Sequence, residues 1–292
     1  MRGILIVNRE ARRGVTASSA RAVIASLREV CQLRTAVTAS AAEAEAAIAA
    51  AVADGVDVVV VAGGDGAVRL ALQACAHSET ALAVVPTGTG NDFARAFGIP
   101  QDPVAAADLA ARAIASGSRQ QVDLGKVAGG GWFSTVLCAG FDAQVNARAN
   151  RLRWLSGHWR YDVALLIELS RLHAMPLRVE TPETIVELDA TLVAVGNTSW
   201  YGGGIPICPD ANPADGLLDI TVVGEVTLRD FAAILPHLRT GRHVEHPAVY
   251  TLQTDRVRLS GENGWLAFAD GDPAVRLPLT VHNHPGALTV VR

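Results

Sequence analysis

The run Val58-Val59-Val60-Val61-Ala62-Gly63-Gly64-Asp65-Gly66 constrains the fold more than any other stretch of this chain. Four consecutive valines fit a strand buried on both faces, as in a parallel sheet covered by helices. The strand opens directly into three glycines around one carboxylate. Glycine takes positive φ at little cost and lets a backbone come close to a ligand. Inward-turned N–H groups ahead of a helix N-terminus make a site for phosphate. A second loop of this kind follows Val84-Val85: Pro86-Thr87-Gly88-Thr89-Gly90-Asn91-Asp92. Two apolar strands ending in Gly/Asp loops predict one nucleotide site at the edge of a sheet. The plainer alternatives are a tight strand-to-helix turn at Gly63–Gly66 and helix caps at Asn91 and Asp92.

The 292 residues fit one large domain or two of ordinary size. Half are hydrophobic and 18% are charged, so a large core forms without disulfides. Cys31, Cys75, Cys138 and Cys208 are widely spaced and predict reduced core residues of a cytoplasmic protein. A net charge of −4 argues against broad nucleic-acid binding. No charge-free apolar run reaches the roughly 18 residues of a membrane span. Met1 to Asn8 reads as a first strand and lacks the apolar length of a signal peptide. His243, His246, His282 and His284 form no metal set with the cysteines and are expected mostly at the surface or in turns.

Strands and helices alternate through the first part. Strands are expected over 3–7, 32–37, 57–62 and 82–85, and helices over 16–30, 40–53, 67–76, 91–97 and from 102 to near 117. Ser40 and Glu43 form a capping-box pair, and Asp102-Pro103 is a cap followed by proline at the first helical position. This order implies a parallel sheet with right-handed crossovers. The pattern changes near Ser118. Beyond it lie strand-like runs over 121–127, 132–139, 177–180, 184–196, 218–223, 249–254, 256–260 and 287–291, with helical periodicity only over 143–172 and 228–238. The reading is an α/β domain over 1–118 and a β-rich domain over 119–292 with a helical insertion. The C-terminal tail is open to return to the first domain, and the site lies in the cleft between the two.

Taken in order, Gly63-Gly64-Asp65-Gly66, the Pro86–Asp92 loop, Asp215-Gly216-Leu217-Leu218 and Asp270-Gly271-Asp272 resemble the diacylglycerol kinase catalytic family, soluble bacterial lipid kinases related to NAD kinases. The resemblance runs from about Gly3 to the C-terminus. It implies a parallel α/β nucleotide domain, a C-terminal antiparallel β-sandwich, and ATP with Mg²⁺ held between them. It places ATP against Gly64, Asp65, Gly66 and Thr89, with Thr38 near the nucleotide; Gly63, Gly88, Gly90, Asn91 and Asp92 of the two loops complete the expected cofactor-binding set. Asp65, Asp92 and Asp123 offer carboxylates to Mg²⁺, directly or through water. Asn212, Asp215 and the Leu217 carbonyl are implied ligands of a structural Mg²⁺. The plainer alternative for that loop is an Asx-turn without metal, and Asp123 by itself reads equally as a strand-end turn or a ligand. Asp270-Gly271 by itself reads as a hairpin turn. With the resemblance Asp270 becomes the general base, and Asp272 stands where the family usually has glutamate.

Three departures from that pattern stand out. Ala67 replaces the usual threonine after the Gly-Gly-Asp-Gly run, and Arg69-Leu70 replaces a common Asn-Glu. The first loop, Asn8-Arg9-Glu10-Ala11-Arg12-Arg13-Gly14, lacks the usual proline, and Arg12 or Arg13 is open to supply a basic contact to ATP. Arg69 is open to contact phosphate. Arg148, Arg151, Arg153 and Arg160 with Trp154, Trp159 and Tyr161 suit either an anionic membrane surface or a solvated helix face. The expectation is an ATP- and Mg²⁺-dependent kinase of a diacylglycerol-like lipid, peripheral at the inner membrane face. An NAD-kinase-like phosphotransferase on a soluble substrate and a non-catalytic lipid or nucleotide binder are the alternatives.

Overall fold

The computed structural model describes residues 1–8, 16–140, 174–261 and 265–292. The expected helix over 143–172 with its Arg/Trp cluster, and Arg12 and Arg13, lie outside the described residues. The first part comprises β1 (Arg2–Asn8), α1 (Ala17–Arg28), β2 (Gln32–Thr38), α2 (Ala41–Ala53), β3 (Val58–Gly63), α3 (Asp65–Cys75), β4 (Ala81–Pro86), α4 (Asp92–Ala96) and α5 (Pro103–Ser116). Then come β5 (Arg119–Val127), β6 (Trp132–Phe133), β7 (Val136–Gly140), β8 (Met175–Glu180), β9 (Ile185–Gly196), β10 (Trp200–Tyr201), β11 (Ile205–Pro206) and β12 (Leu218–Gly224). The chain ends with α6 (Leu228–Leu238), β13 (Val249–Thr254), β14 (Arg256–Gly261), β15 (Leu266–Ala269), β16 (Asp272–Arg276) and β17 (Leu279–Val291).

Local chemistry explains the element ends. Thr16 caps α1 by accepting from the Ser19 N–H, and Ser40 caps α2 by accepting from the Glu43 N–H. The Glu43 carboxylate reaches back to the Ala39 N–H, closing the expected box one residue early. Asp102 takes the N–H groups of Val104 and Ala105 ahead of Pro103, and α5 stops at Gly117 in the left-handed region. The single strand expected over 132–139 is instead two, β6 and β7. Ser134 and Thr135 interrupt it because their N–H groups point at Asp270 rather than into a ladder.

Strands β2, β1, β3 and β4 pair in parallel, and the all-buried valines of β3 lie between β1 and β4. Their side chains alternate between two cores. Ile4, Ile6, Val59, Val61 and Val84 pack with α2, α3 and Phe93 of α4; Leu5, Val58, Val60 and Val85 pack with α1 and α5. The second part is an antiparallel, sandwich-like unit. There β7 lies between β9 and β15, and β12 pairs with both β9 and β13. Its core gathers Phe133, Leu137, Val193, Ile220, Leu259 and Trp265.

Strand β17 joins the two parts. It pairs antiparallel with β14 and β5 and in parallel with β4 at Val290↔Leu82. Among the described residues, no helix is long and apolar enough to cross a membrane. The four cysteines are buried, and none forms a disulfide. His243, expected at the surface, is buried and bonds the Ile207 carbonyl.

Glycine 125 lies flat against the fully buried Phe133, whose ring overlaps the position of a Cβ there. Gly125→Ala is expected to cost about 1–3 kcal/mol, the usual penalty for overpacking. Urea denaturation checks this, with partial recovery expected on adding Phe133→Leu.

Candidate active site

The two glycine loops meet backbone to backbone. A Cβ on Gly88 would lie 2.6 Å from the Gly64 Cα, so neither loop tolerates a side chain there. Asn91, at φ 53°, does not cap α4 with its side chain. Its Oδ1 accepts from the Gly88 N–H, and its Nδ2 donates to the Gly88 carbonyl and to Gln101 Oε1. The cap comes from the other loop, because Asp65 Oδ1 accepts from the Phe93 N–H at 3.1 Å. Thus Asp65 locks the first loop to the second.

Asp92 extends the chain of contacts. Its Oδ1 accepts from Arg95, and its Oδ2 accepts from the Gly203 N–H at 2.8 Å, in the turn between β10 and β11. Gly203 takes φ 82° to present that N–H. Arg95 also stacks over the Trp200 ring, 5.9 Å from its centroid.

Asp270 lies in the β15–β16 turn at φ 49°. Its carboxylate accepts from the N–H and hydroxyl of both Ser134 and Thr135. These four bonds fill the acceptor positions of a carboxylate. Asp272 differs: its Oδ2 accepts from Arg69 Nε at 2.8 Å, and its side chain is 43% exposed.

Burial pushes the Asp65 carboxyl up to about 6, opposed by the Phe93 N–H and reinforced by the charges of Asp92 and Asp270. Burial raises Asp92, opposed by the Gly203 N–H and Arg95. Burial also raises Asp270, opposed by Thr135 and Ser134 and by the charge of Arg69. Asp65 thus sits in the field of Asp92 and Asp270 beside the two glycine loops, an arrangement of like charges that a divalent cation would relieve.

Comparison with known proteins decides the family. Residues 2–127 match the model of the diacylglycerol kinase catalytic domain, and residues 135–292 match that of the YegS C-terminal NAD kinase beta sandwich-like domain. A diacylglycerol kinase of Mycobacterium tuberculosis is 44% identical over 248 residues, spanning 82% of this chain and 78% of that protein. This chain belongs to the diacylglycerol kinase family. It is therefore a kinase. A Stenotrophomonas maltophilia protein named "Probable lipid kinase YegS-like" is 32% identical over 274 residues, 87% of this chain and 85% of its own. The solved structure of a diacylglycerol kinase from Bacillus anthracis shares the fold, with a TM-score of 0.77 at 23% identity over 99% of this chain and 96% of that one.

In this diacylglycerol kinase family member the remaining expected site residues fall in two places. Thr38 ends β2, is buried, and its hydroxyl has no partner; the Thr87 hydroxyl is likewise orphaned. A cavity of about 60 Å³, lined by Val7, Ile24, Thr35, Ala62, Val85 and Thr87, opens at these strand ends. Asp123, in contrast, is tied into the loop around Pro213. Its Oδ2 accepts from the Gly216 N–H and its Oδ1 from the Gly286 N–H, both at 2.8 Å, and its own N–H donates to the Pro213 carbonyl. Asp215 Oδ1 accepts from the Leu217 N–H in an Asx-turn, and the Leu217 carbonyl accepts from Asn283. Asn212 is exposed on the same loop. Among the described residues, no three His, Cys, Asp or Glu side chains come together as a metal cage.

Sequence reasoning missed the residues that hold the carboxylates: Ser134, Thr135, Arg95 and Gly203. The one local signal for Ser134-Thr135 is a polar pair inside an otherwise apolar run. Asp123→Ala strands the half-buried N–H groups of Gly216 and Gly286 and is expected to destabilise the fold by about 2–4 kcal/mol, since bonds to charged acceptors are worth about 1.5–3 kcal/mol each. Thermal denaturation in chelator-treated buffer checks this; an unchanged midpoint there would argue against the stapling role.

Proposed function

We propose that this kinase transfers the γ-phosphoryl group of ATP, with Mg²⁺, to a hydroxyl of a diacylglycerol-like lipid. The observation that carries the reading is the pair of glycine loops packed backbone to backbone, with the Oδ2 atoms of Asp65 and Asp92 both beside Gly90. The relatives' names supply the acceptor class. A membrane-lipid acceptor implies work at a bilayer surface, which we place at the inner face.

The N–H groups of Gly63, Gly64, Gly66, Thr89 and Gly90 are our candidates for the phosphates, with Asn91 holding the second loop in shape through the Gly88 N–H. The orphaned Thr38 hydroxyl is a candidate contact to the nucleotide. Mg²⁺ characteristically takes one or two carboxylates together with phosphates and water. Asp65 and Asp92, oxygen donors raised by burial, fit such an ion arriving with ATP. When bound, it neutralises charge building on the phosphoryl oxygens. At the 208–217 loop, Asp219 Oδ2 is buried without a partner and feels the charges of Asp215 and Asp210. That supports a second cation there, with Asn212, Asp215 and the Leu217 carbonyl as its candidate ligands.

Of the two carboxylates in the 269–272 turn, Asp272 keeps free acceptor capacity, whereas Asp270 has its positions filled. We therefore assign the proton of the acceptor hydroxyl to Asp272 and give Asp270 the anchoring of the turn. The hydroxyl oxygen forms the new bond to the γ-phosphorus, the bridging P–O bond breaks as ADP departs, and the Asp272 carboxylate takes up the hydroxyl proton.

The test is transfer of labelled γ-phosphate into mixed micelles of diacylglycerol, phosphatidylglycerol or a sphingoid base, with NAD as a soluble acceptor in parallel. Asp272→Asn is expected to lower turnover by about 10²–10⁴-fold, the usual worth of a general base, and to leave ATP binding unchanged. Asp270→Asn turns an amide toward the Thr135 N–H and is expected to lose stability as well as rate. Labelling of NAD alone would sink the lipid reading.

Gly88→Ala is expected to push the two loops apart and weaken ATP binding at least about tenfold, equivalent to 1.4 kcal/mol. Equilibrium binding of a fluorescent ATP analogue reads this directly, with circular dichroism confirming the fold.

A further inference from the structure

Helix α3 begins at the first glycine loop and presents Arg69 and Gln73, one turn apart, to the second part of the molecule. Gln73 grips β6 twice: its Nε2 donates to the Trp132 carbonyl, and its Oε1 accepts from the Trp132 N–H. Two residues further on, Ser134 begins the pair that holds Asp270. Arg69 reaches the other side of the same turn, donating from Nε to Asp272 Oδ2 across 203 residues of sequence. The Asp272 carboxylate consequently lies over the first turn of α3, 3.9 Å from where a Cβ on Gly66 would stand. Among the described residues, Asp272 Oδ1 makes no hydrogen bond and the side chain is 43% exposed, so the grip leaves one oxygen free.

We propose that Arg69 is a positioning residue, which holds the Asp272 carboxylate against the phosphate-loop helix so that its free oxygen faces the acceptor hydroxyl. The inference rests on the proton-accepting role given to Asp272 above. Three observations support it. The guanidinium fork has a fixed geometry and binds carboxylate directionally. The contact is 30% and 43% exposed on its two sides, so its worth to overall stability is small and its effect is geometric. It also joins the same helix face that Gln73 fastens to β6, so α3 holds the two ends of the Asp270–Asp272 turn at once. A misplacement of about 1 Å in a reacting group costs on the order of 10²-fold in rate.

The test compares Arg69→Met and Arg69→Lys with the wild type in the micelle assay and by amide hydrogen exchange of peptides covering 266–276. Arg69→Met is expected to lower kcat at least about tenfold, with the KM for ATP unchanged within about twofold, and to speed exchange in those peptides severalfold. Arg69→Lys is expected to recover part of both. A raised KM for ATP with kcat intact would overturn the inference and make Arg69 a phosphate contact. Unchanged kcat and exchange would overturn it as well. If the wild type labels no lipid, the kinase reading of the acceptor fails. The exchange measurement then decides the inference alone: faster exchange in Arg69→Met upholds the grip on the turn, and equal exchange removes it.

Discussion

Strand β17 pairs antiparallel with β14 at its start and with β5 on both sides of a register shift, and in parallel with β4 near its end. The sheet that carries the glycine loops and the strands that carry Asp270 therefore share one ladder. Its register shifts between His284 and Leu288, at Pro285-Gly286, where the strand passes from one part to the other. The Gly286 N–H freed by that irregularity is taken by Asp123, which also holds Gly216. A buried carboxylate without such partners would be strongly unfavourable. With two N–H donors it becomes the staple that lets a strand change neighbours.

The cleft is assembled by carboxylates that each bridge two separate segments. Asp65 caps the helix of the opposite loop, Asp92 reaches the Gly203 turn, and Asp270 closes on Ser134-Thr135. Burial raises all three, so the fold gathers carboxyls whose charged form is disfavoured, a cost that the divalent ion of the proposed reaction would offset. Arg95 and Arg69 offset only part of it. A site that is electrostatically incomplete by itself is suited to a substrate that arrives as a metal complex, because binding then relieves a repulsion already built into the fold.

The departures from the family pattern acquire a structural meaning in this setting. Ala67 lies under the first loop, where a Cβ on Gly63 would stand 2.5 Å from its own Cβ, so the helix packs tightly against the strand end. Arg69, in the place of a common asparagine, reaches away from the first glycine loop to the turn between β15 and β16. Its partner is Asp272, itself a shorter acid than the family's usual glutamate. A longer basic residue and a shorter acidic one meet across the cleft, a compensation visible only once both ends of the chain are folded.

Local signals in the sequence decided much of this protein. Four valines, the glycines after them and the caps at Thr16, Ser40 and Asp102 specify strands, loops and helix starts. The forces involved act within a few residues: strand burial, φ preference and side chain to backbone bonding. The order of motifs placed the chain in its family and located both glycine loops. Tertiary structure alone decided the partners. Asn91 reads as a cap in sequence, yet it clamps Gly88, because the α4 N–H is already satisfied by Asp65. Asp270 reads as a base or a turn, yet Ser134 and Thr135 fill its lone pairs from 135 residues away. Arg69 finds Asp272, and β17 finds β4, only through sheet topology. No periodicity encodes those meetings, since hydrogen bonding is short-ranged in space but blind to distance along the chain.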